Sequence, residues 1–277
     1  FFDVRTCIPI AVLWERWVVD PTPGPIPKAL IKNAELGECV YVSGDTYVSR
    51  GLYSFKPQAA ILASLVKQVI PSVTLEYGVE GFCKCLGELR RRFNIDLFIG
   101  LDVGGDVLAK GWERGLGSPL TDSMSLAALT SFNSVIAVLA PGADGELPQE
   151  YVLSRVSELA REGGYIGSLG LWSNYIELME KIVSVIETEA SKVPLIALKG
   201  YEGYQTLRGG SRKAKVNIIS TLIFLIKTQT LYKQSPLAQK IINSKNLAEA
   251  IKGAEELGIT TEYHSELRKA KTSKTYK

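Results

Sequence analysis

The sequence predicts an α/β fold: a three-layer, mostly parallel, Rossmann-like sheet with helices on both faces. Three observations carry this expectation. Short apolar runs, such as Leu97 to Leu101 and Ser134 to Ala140, have the length of buried strands. They alternate with stretches of helical period, the pattern of strands joined by crossover helices. Several runs end in loops of glycine and acid, above all Asp102-Val103-Gly104-Gly105-Asp106. Open α/β sheets bind ligands at the carboxyl ends of their strands, so those loops mark the expected site.

The composition allows such a core. Hydrophobic residues make up 46% of 277, enough for one large domain with an appendage. We expect residues 1–215 to form the Rossmann-like domain and residues 216–277 a strand/helix portion packed on it. A net charge of +3 is too small to argue for nucleic acid or a membrane surface. The most apolar stretch, Ile218 to Ile226, has about half the length that spans a bilayer. No basic leader with a cleavage site is visible at Phe1. The four cysteines lack metal spacing, and Cys83 and Cys85 point to different faces of any helix. All four read as reduced thiols of a cytoplasmic protein.

Thr6 to Trp14 is β-compatible, and the following Asp20 to Pro27 has four prolines in seven residues, a stiff extended loop. Glu38 to Ser43 reads as a strand before Gly44 and Asp45, Pro57 to Ile70 as a helix, Val73 to Tyr77 as a strand. Val79 to Phe93 is helical, and Arg90, Arg91 and Arg92 suit the negative end of its dipole. After the central strand, Ser118 and Pro119 open a helix as N-cap and first residue, with Asp122 in its first turn. Pro148 to Glu162 is helical and stops at Gly163-Gly164. Gly163 to Gly170 reads as a loop or lid; it lacks the Lys-Ser/Thr ending of a phosphate loop. Asn174 to Thr188 is expected as a helix, Pro194 to Leu198 as a strand, and Gly200 to Gly210 as the punctuation of a hairpin carrying Arg208 and Arg212. Asn217 to Leu231 fits strand or helix. Ser235-Pro236 starts a short helix, and Asn246 caps the last, with Glu249 as capping-box partner and Gly258 as its stop. Arg268 to Lys277 is a basic tail expected to fray.

Strand ends on one edge would gather Glu15, Asp45, Asp102, Asp106, Asp144 and Glu146 on one rim. Clustered carboxylates repel, which raises some pKa values unless a cation is present. Mg²⁺ is the natural candidate, being hard and oxygen-seeking. Asp102 and Asp106 are the expected metal ligands, and Asp144 or Glu146 the expected general base. Arg16, Arg208 and Arg212 are candidate anion clamps, since guanidinium forks match phosphate and carboxylate. Glu187 and Glu189 sit at an expected helix C-terminus, where the dipole disfavours acids. Glu189 is therefore expected to turn into the cleft and pair with an arginine, Arg208 first, or with a metal. Gly104 and Gly105 are expected to need positive φ or to lack room for a Cβ. The only histidine, His264, reads as an exposed structural residue, which argues against a His-based triad or zinc site.

Five motifs occur in one order: WERWVVDPTPGP (Trp14 to Pro25), LDVGGD (Leu101 to Asp106), SPLTD (Ser118 to Asp122), GADGEL (Gly142 to Leu147) and TEAS (Thr188 to Ser191). Together they resemble the archaeal family known as domain of unknown function 1152, over about Trp14 to Tyr263. The resemblance supplies motif positions, Ser191 among them, without catalytic roles. It also implies a preceding strand and a Gly-Gly-Gly-Gly-Asp-like loop, which would be the first βα turn and a phosphate cradle.

The expected function is a Mg²⁺-assisted enzyme acting on a small anionic metabolite, phosphorylated or nucleotide-like. Its ligand set would be Glu15, Arg16, Gly104, Gly105, Asp122, Glu189, Ser191 and Arg208. The alternative is a non-catalytic nucleotide or metabolite sensor; a homo-oligomer is compatible with either.

Overall fold

The computed structural model describes residues 6–275; the last residues of the basic tail, 276–277, lie outside it. The chain forms β1 (Ala11–Val12), β2 (Ile31–Leu36), β3 (Val40–Arg50), β4 (Tyr53–Phe55), α1 (Gln58–Val66), β5 (Ile70–Val73) and α2 (Gly78–Phe93). It continues through β6 (Phe98–Val103), α3 (Pro119–Leu129), β7 (Ser134–Leu139), α4 (Gln149–Arg161), β8 (Tyr165–Gly170), α5 (Ile176–Val185) and α6 (Lys192–Leu198). It ends with β9 (Gly203–Leu207), β10 (Arg212–Val216), β11 (Leu222–Lys227), α7 (Thr228–Lys233), α8 (Pro236–Ile241), α9 (Leu247–Glu256) and α10 (Glu262–Thr275).

The chain is α/β, but the single, mostly parallel sheet expected from the sequence is replaced by two mixed sheets and a hairpin. The first sheet runs β1-β5-β3-β2, with β4 also on β3; only β1–β5 is parallel. The second runs β6-β7-β11-β8, where β6–β7 is parallel and β11 is antiparallel to both neighbours. Connection length explains part of this. Between β2 and β3 lie only Gly37, Glu38 and Cys39, whereas a parallel return needs a crossover of about a dozen residues or more. Strand β11 lies between β7 and β8, so residues on both sides of position 215 build one sheet.

The helices of the second sheet collect mainly on one face. Leu126 and Leu129 of α3, Val152 and Val156 of α4, and Leu86 and Leu89 of α2 share a core with Phe98, Ile136, Val138 and Ile226. The other face is covered toward its carboxyl end by α6 and the β9–β10 hairpin, through Val193, Ala197, Leu207, Ala214 and Val216. Further along it, Ile99 and Leu101 of edge strand β6 stand exposed.

Several local expectations change. Lys192 to Leu198 is a helix rather than a strand, and Pro194 is tolerated in its first turn, where the missing N–H has no intrahelical acceptor. Gly163 to Gly170 is mostly strand β8, at a sheet edge, rather than a lid. The segment 217–231 is both alternatives in succession: a short 3-10 turn, strand β11, then helix α7. The basic tail continues helix α10 to Thr275 instead of fraying. His264 is half-buried, its Nδ1 meeting Thr261 and its Nε2 lying 3.1 Å from Glu255.

The cysteines are not all thiols. Cys39, just before β3, is bonded to Cys85 of α2, while Cys83, two positions away on another helix face, stays free. The arginines at the end of α2 are exposed, as expected, and Arg92 pairs with Glu35. Among the described residues no helix is long and apolar enough to cross a membrane.

Candidate functional site

Strand β6 delivers Asp102 to the edge of the second sheet, and the chain then turns through Gly104 and Gly105, whose φ values are 127° and 94°. L-residues rarely adopt such angles. Space forbids a side chain as well: a Cβ on Gly104 would lie 2.5 Å from Asp144 Cγ, and one on Gly105 2.5 Å from Val152 Cγ1. The neighbouring strand β7 ends in the second glycine–acid loop. The two loops are stitched together, Gly104 N–H donating to Leu139 O (3.0 Å) and Gly142 N–H to Gly104 O (2.6 Å). Parallel pairing of β6 with β7 therefore brings two sets of acids side by side.

Asp106, Asp144 and Glu146 are buried, and one carboxylate oxygen of each lies within 4.8 Å of the others. This triad could hold a metal ion. Of the pair expected from the sequence as metal ligands, Asp106 belongs to this triad. Asp102 accepts a hydrogen bond from Val107 N (3.1 Å) and lies beside the triad. Burial first, then the charge of Asp144, pushes the Asp102 carboxyl up to about 7. Asp106, Asp122 and Asp144 are pushed well above the ordinary carboxylate range, by burial first and neighbouring acids second.

Glu146 differs. Burial raises its pKa, but Arg212 and Arg208 outweigh that, and the net direction is down. Arg212 Nη1 lies 2.6 Å from Glu146 Oε1, and Arg208 Nη2 3.1 Å from the same oxygen. Its other oxygen accepts from the N–H groups of Gly117 and Ser118. A carboxylate so fully engaged orients its neighbours better than it takes up protons, which sets it apart from Asp144 as a base.

Ser118 stands at the N-cap of α3, with Pro119 following, as the sequence suggests. Its hydroxyl, however, does not cap the helix. It reaches Asp106 Oδ2 (2.9 Å) and Glu146 Oε1 (3.2 Å). Glu262, from α10, accepts from Leu120 N (3.0 Å), Thr121 N (2.7 Å) and the Thr121 hydroxyl instead. Asp122, in the same first turn, has a buried Oδ2 without a hydrogen-bond partner.

Glu189 does pair with arginines. Its Oε2 accepts from Arg16 Nη2 (3.1 Å) and from the backbone N–H of Arg208 (2.9 Å). The Arg208 side chain, expected to reach Glu189, turns to Glu146 instead. Arg208 adopts φ 51°, and this turn aims its amide and its guanidinium at different acids. The result is a continuous chain of ion pairs and hydrogen bonds, Arg16–Glu189–Arg208–Glu146–Arg212.

Three sequence-nominated residues lie apart from the triad. Glu15 is buried at the start of α1, accepting from Gln58 N (2.8 Å). Ser191 is the N-cap residue of α6 and takes a hydrogen bond from the Thr188 hydroxyl. Asp45 sits exposed in the middle of β3, because that strand runs past Ser43 to Arg50. The sequence missed Gly117 and Glu262, and it read Ser118 as a cap alone. Only the SPLTD motif hinted at Ser118, and nothing local marks Glu262.

The model of a family described as protein of unknown function, DUF1152, matches residues 2–270. The chain belongs to that family. The match spans both sheets, the hairpin and every acid of the site, and its description carries no reaction. No curated protein and no solved structure matches the chain.

Proposed function

We propose that this DUF1152 protein is an enzyme that uses a divalent cation, Mg²⁺ first, to act on a small anionic metabolite carrying a phosphate or similar group. The observation that supports this reading is the convergence of Asp106, Asp144 and Glu146 within 4.8 Å, beside two guanidiniums that share Glu146. That spacing is compatible with the roughly 4–5 Å between opposite ligands of a Mg²⁺ or Ca²⁺ ion. The donors are hard oxygens, and without a cation burial strongly disfavours their charges.

In this reading Asp106 and Asp144 would hold the cation, with Glu146 beside them as the acid that fixes Arg208 and Arg212. When bound, the cation would polarise an oxygen of the substrate. Arg208, at the exposed hairpin turn, meets the incoming anion; Arg212, more enclosed, sets its orientation. Asp102, beside the triad with the Val107 N–H on its carboxylate, is the acid left to accept and return a proton. Arg16 and Glu189 act behind this set by holding the Arg208 backbone in place.

The test combines Mg²⁺ titration calorimetry with a turnover screen of phosphorylated metabolites and nucleotides, with and without Mg²⁺. Asp106→Asn and Asp144→Asn are each expected to weaken Mg²⁺ binding at least tenfold and to abolish metal-dependent turnover. Absence of Mg²⁺ or Mn²⁺ binding by the wild-type protein would refute the proposal. Ligand binding without turnover would instead favour a sensor.

A further inference from the structure

Strand β8 ends the second sheet on one side, and its outer edge is open. Its neighbour fixes where its backbone groups point. Leu171 N–H donates to Thr221 O (2.8 Å), while Leu222 turns its O to Ala140 N–H on the β7 side (3.0 Å). In the ladder Gly170 faces Leu222 and Ser168 faces Phe224. Bonding alternates along an antiparallel pair, so the N–H and C=O groups of Ser168 and Gly170 point away from β11, into the open edge.

Such an edge is a template for another strand, and proteins usually blunt it with lysine, proline or another charge. This one carries none of these. From Tyr165 to Tyr175 the sequence reads YIGSLGLWSNY, without a charged side chain or a proline, in a chain of which 22% is charged. The run is not sheltered either. Tyr165, Leu169, Trp172 and Tyr175 are exposed, Trp172 to 70%. Helix α5 extends the apolar surface: Leu178 and Val185, two helical turns apart on one face, are exposed, and no residue of α5 is fully buried. From their exposures, these six side chains leave roughly 600–700 Å² uncovered per chain. Two copies meeting there would bury about 1,200–1,400 Å², within the roughly 1,200–2,000 Å² of stable interfaces, before any edge backbone is counted.

The chemistry selects a second copy of this chain as the occupant. A neutral edge has no charge pattern to steer an unlike partner and none to repel its own kind. A two-fold axis beside β8 sets the same strand alongside it in the antiparallel sense, and the contact closes on itself. The other edge of the sheet, β6, is bounded by Asp96 and Asp102 and lacks this neutrality. We propose that β8 pairs antiparallel with β8 of a second copy, joining the two four-stranded sheets into one across a two-fold axis, with Trp172 and the α5 stripe packed against the other chain. The proposal is independent of the acid centre.

The experiment is sedimentation equilibrium of the full chain at micromolar concentration, joined to hydrogen exchange over a dilution series. The wild-type protein is expected to be a dimer, and exchange at the Ser168 and Gly170 amides to slow at least tenfold as the dimer forms. Leu169→Lys combined with Trp172→Lys sets like charges on the edge and is expected to raise the dissociation constant at least tenfold, with an unchanged circular dichroism spectrum. Ser168→Pro, which removes an outward N–H only, is expected to do the same. A wild-type chain that stays monomeric overturns the proposal. A dimer that persists in both variants overturns it as well. So does a dimer whose Ser168 and Gly170 amides exchange as fast as in the monomer, since its interface then lies elsewhere. If neither variant folds, the wild-type mass and exchange decide alone.

Discussion

At the scale of single residues, the site depends on two α-carbons that carry no side chain. Gly104 combines a φ of 127° with a would-be Cβ 2.5 Å from the Asp144 carboxyl. Gly104→Ala therefore strains the backbone and pushes Asp144 out of the triad together. The expected cost is about 2–4 kcal/mol, above the roughly 1 kcal/mol of a simple positive-φ penalty, measured by urea unfolding. Mg²⁺ affinity should fall with it. Gly163→Ala is the control: its φ is 70°, but nothing lies within 4 Å of the added atom. Its cost should stay near the backbone term alone. Equal costs at the two positions would show that the close approach to Asp144 has no energetic weight.

At the scale of elements, α3 shows how a helix start can be completed from far away. Its first N–H groups have no intrahelical acceptors and need partners. Ser118 occupies the capping position but directs its hydroxyl to Asp106 and Glu146. The cap comes from Glu262 of α10, a half-buried residue whose carboxyl loses enough water to raise its pKa. Helix α10 thereby fastens the turn that carries Ser118 and Asp122. Glu262→Ala leaves two amides and one hydroxyl without their acceptor and should cost about 1–3 kcal/mol. Hydrogen exchange at the Leu120 and Thr121 amides should accelerate in the folded protein. Unaltered exchange at both amides would mean that Glu262 is not their effective cap.

At the scale of the whole molecule, stability should depend on pH through enclosed acids. Glu15 is the clearest case outside the triad. Burial pushes its carboxyl from 4.5 up to about 7; the Gln58 N–H opposes this, and Asp20 adds to it. The folded protein then holds a proton that the unfolded chain releases at lower pH. Below about 4.5 both forms are protonated and Glu15 imposes no penalty. As pH rises from there to about 7 its contribution becomes destabilising, by roughly 3 kcal/mol at most, and stays so above. Glu15→Gln keeps the acceptor for Gln58 and removes the titration. The variant should gain on the wild-type protein between pH 5 and pH 8, read from paired urea unfolding curves. A stability difference that does not change over this interval would show that Glu15 titrates normally.

The sequence by itself determined the features set by a few consecutive residues. The glycine–acid turns after β6 and β7, the Ser118-Pro119 helix start, the glycine-punctuated hairpin and the Asn246 cap all follow from conformational needs within one turn of chain. The acids of the candidate site were legible for that reason. Strand direction was not, since apolar runs look alike whether a strand runs parallel or antiparallel to its neighbour, hence β11 antiparallel between β7 and β8; nor does a short apolar run separate strand from helix, hence Lys192 to Leu198 as helix. Partners distant in sequence were also decided only by packing. Glu146 meets Arg208 across 62 positions, Leu120 meets Glu262 across 142, and Cys39 bonds Cys85 across 46. The exchange by which Glu189 holds the Arg208 backbone while Glu146 takes its side chain belongs to this second kind. Both acids could serve that arginine by charge alone, and only the folded hairpin turn sets which oxygen meets which nitrogen.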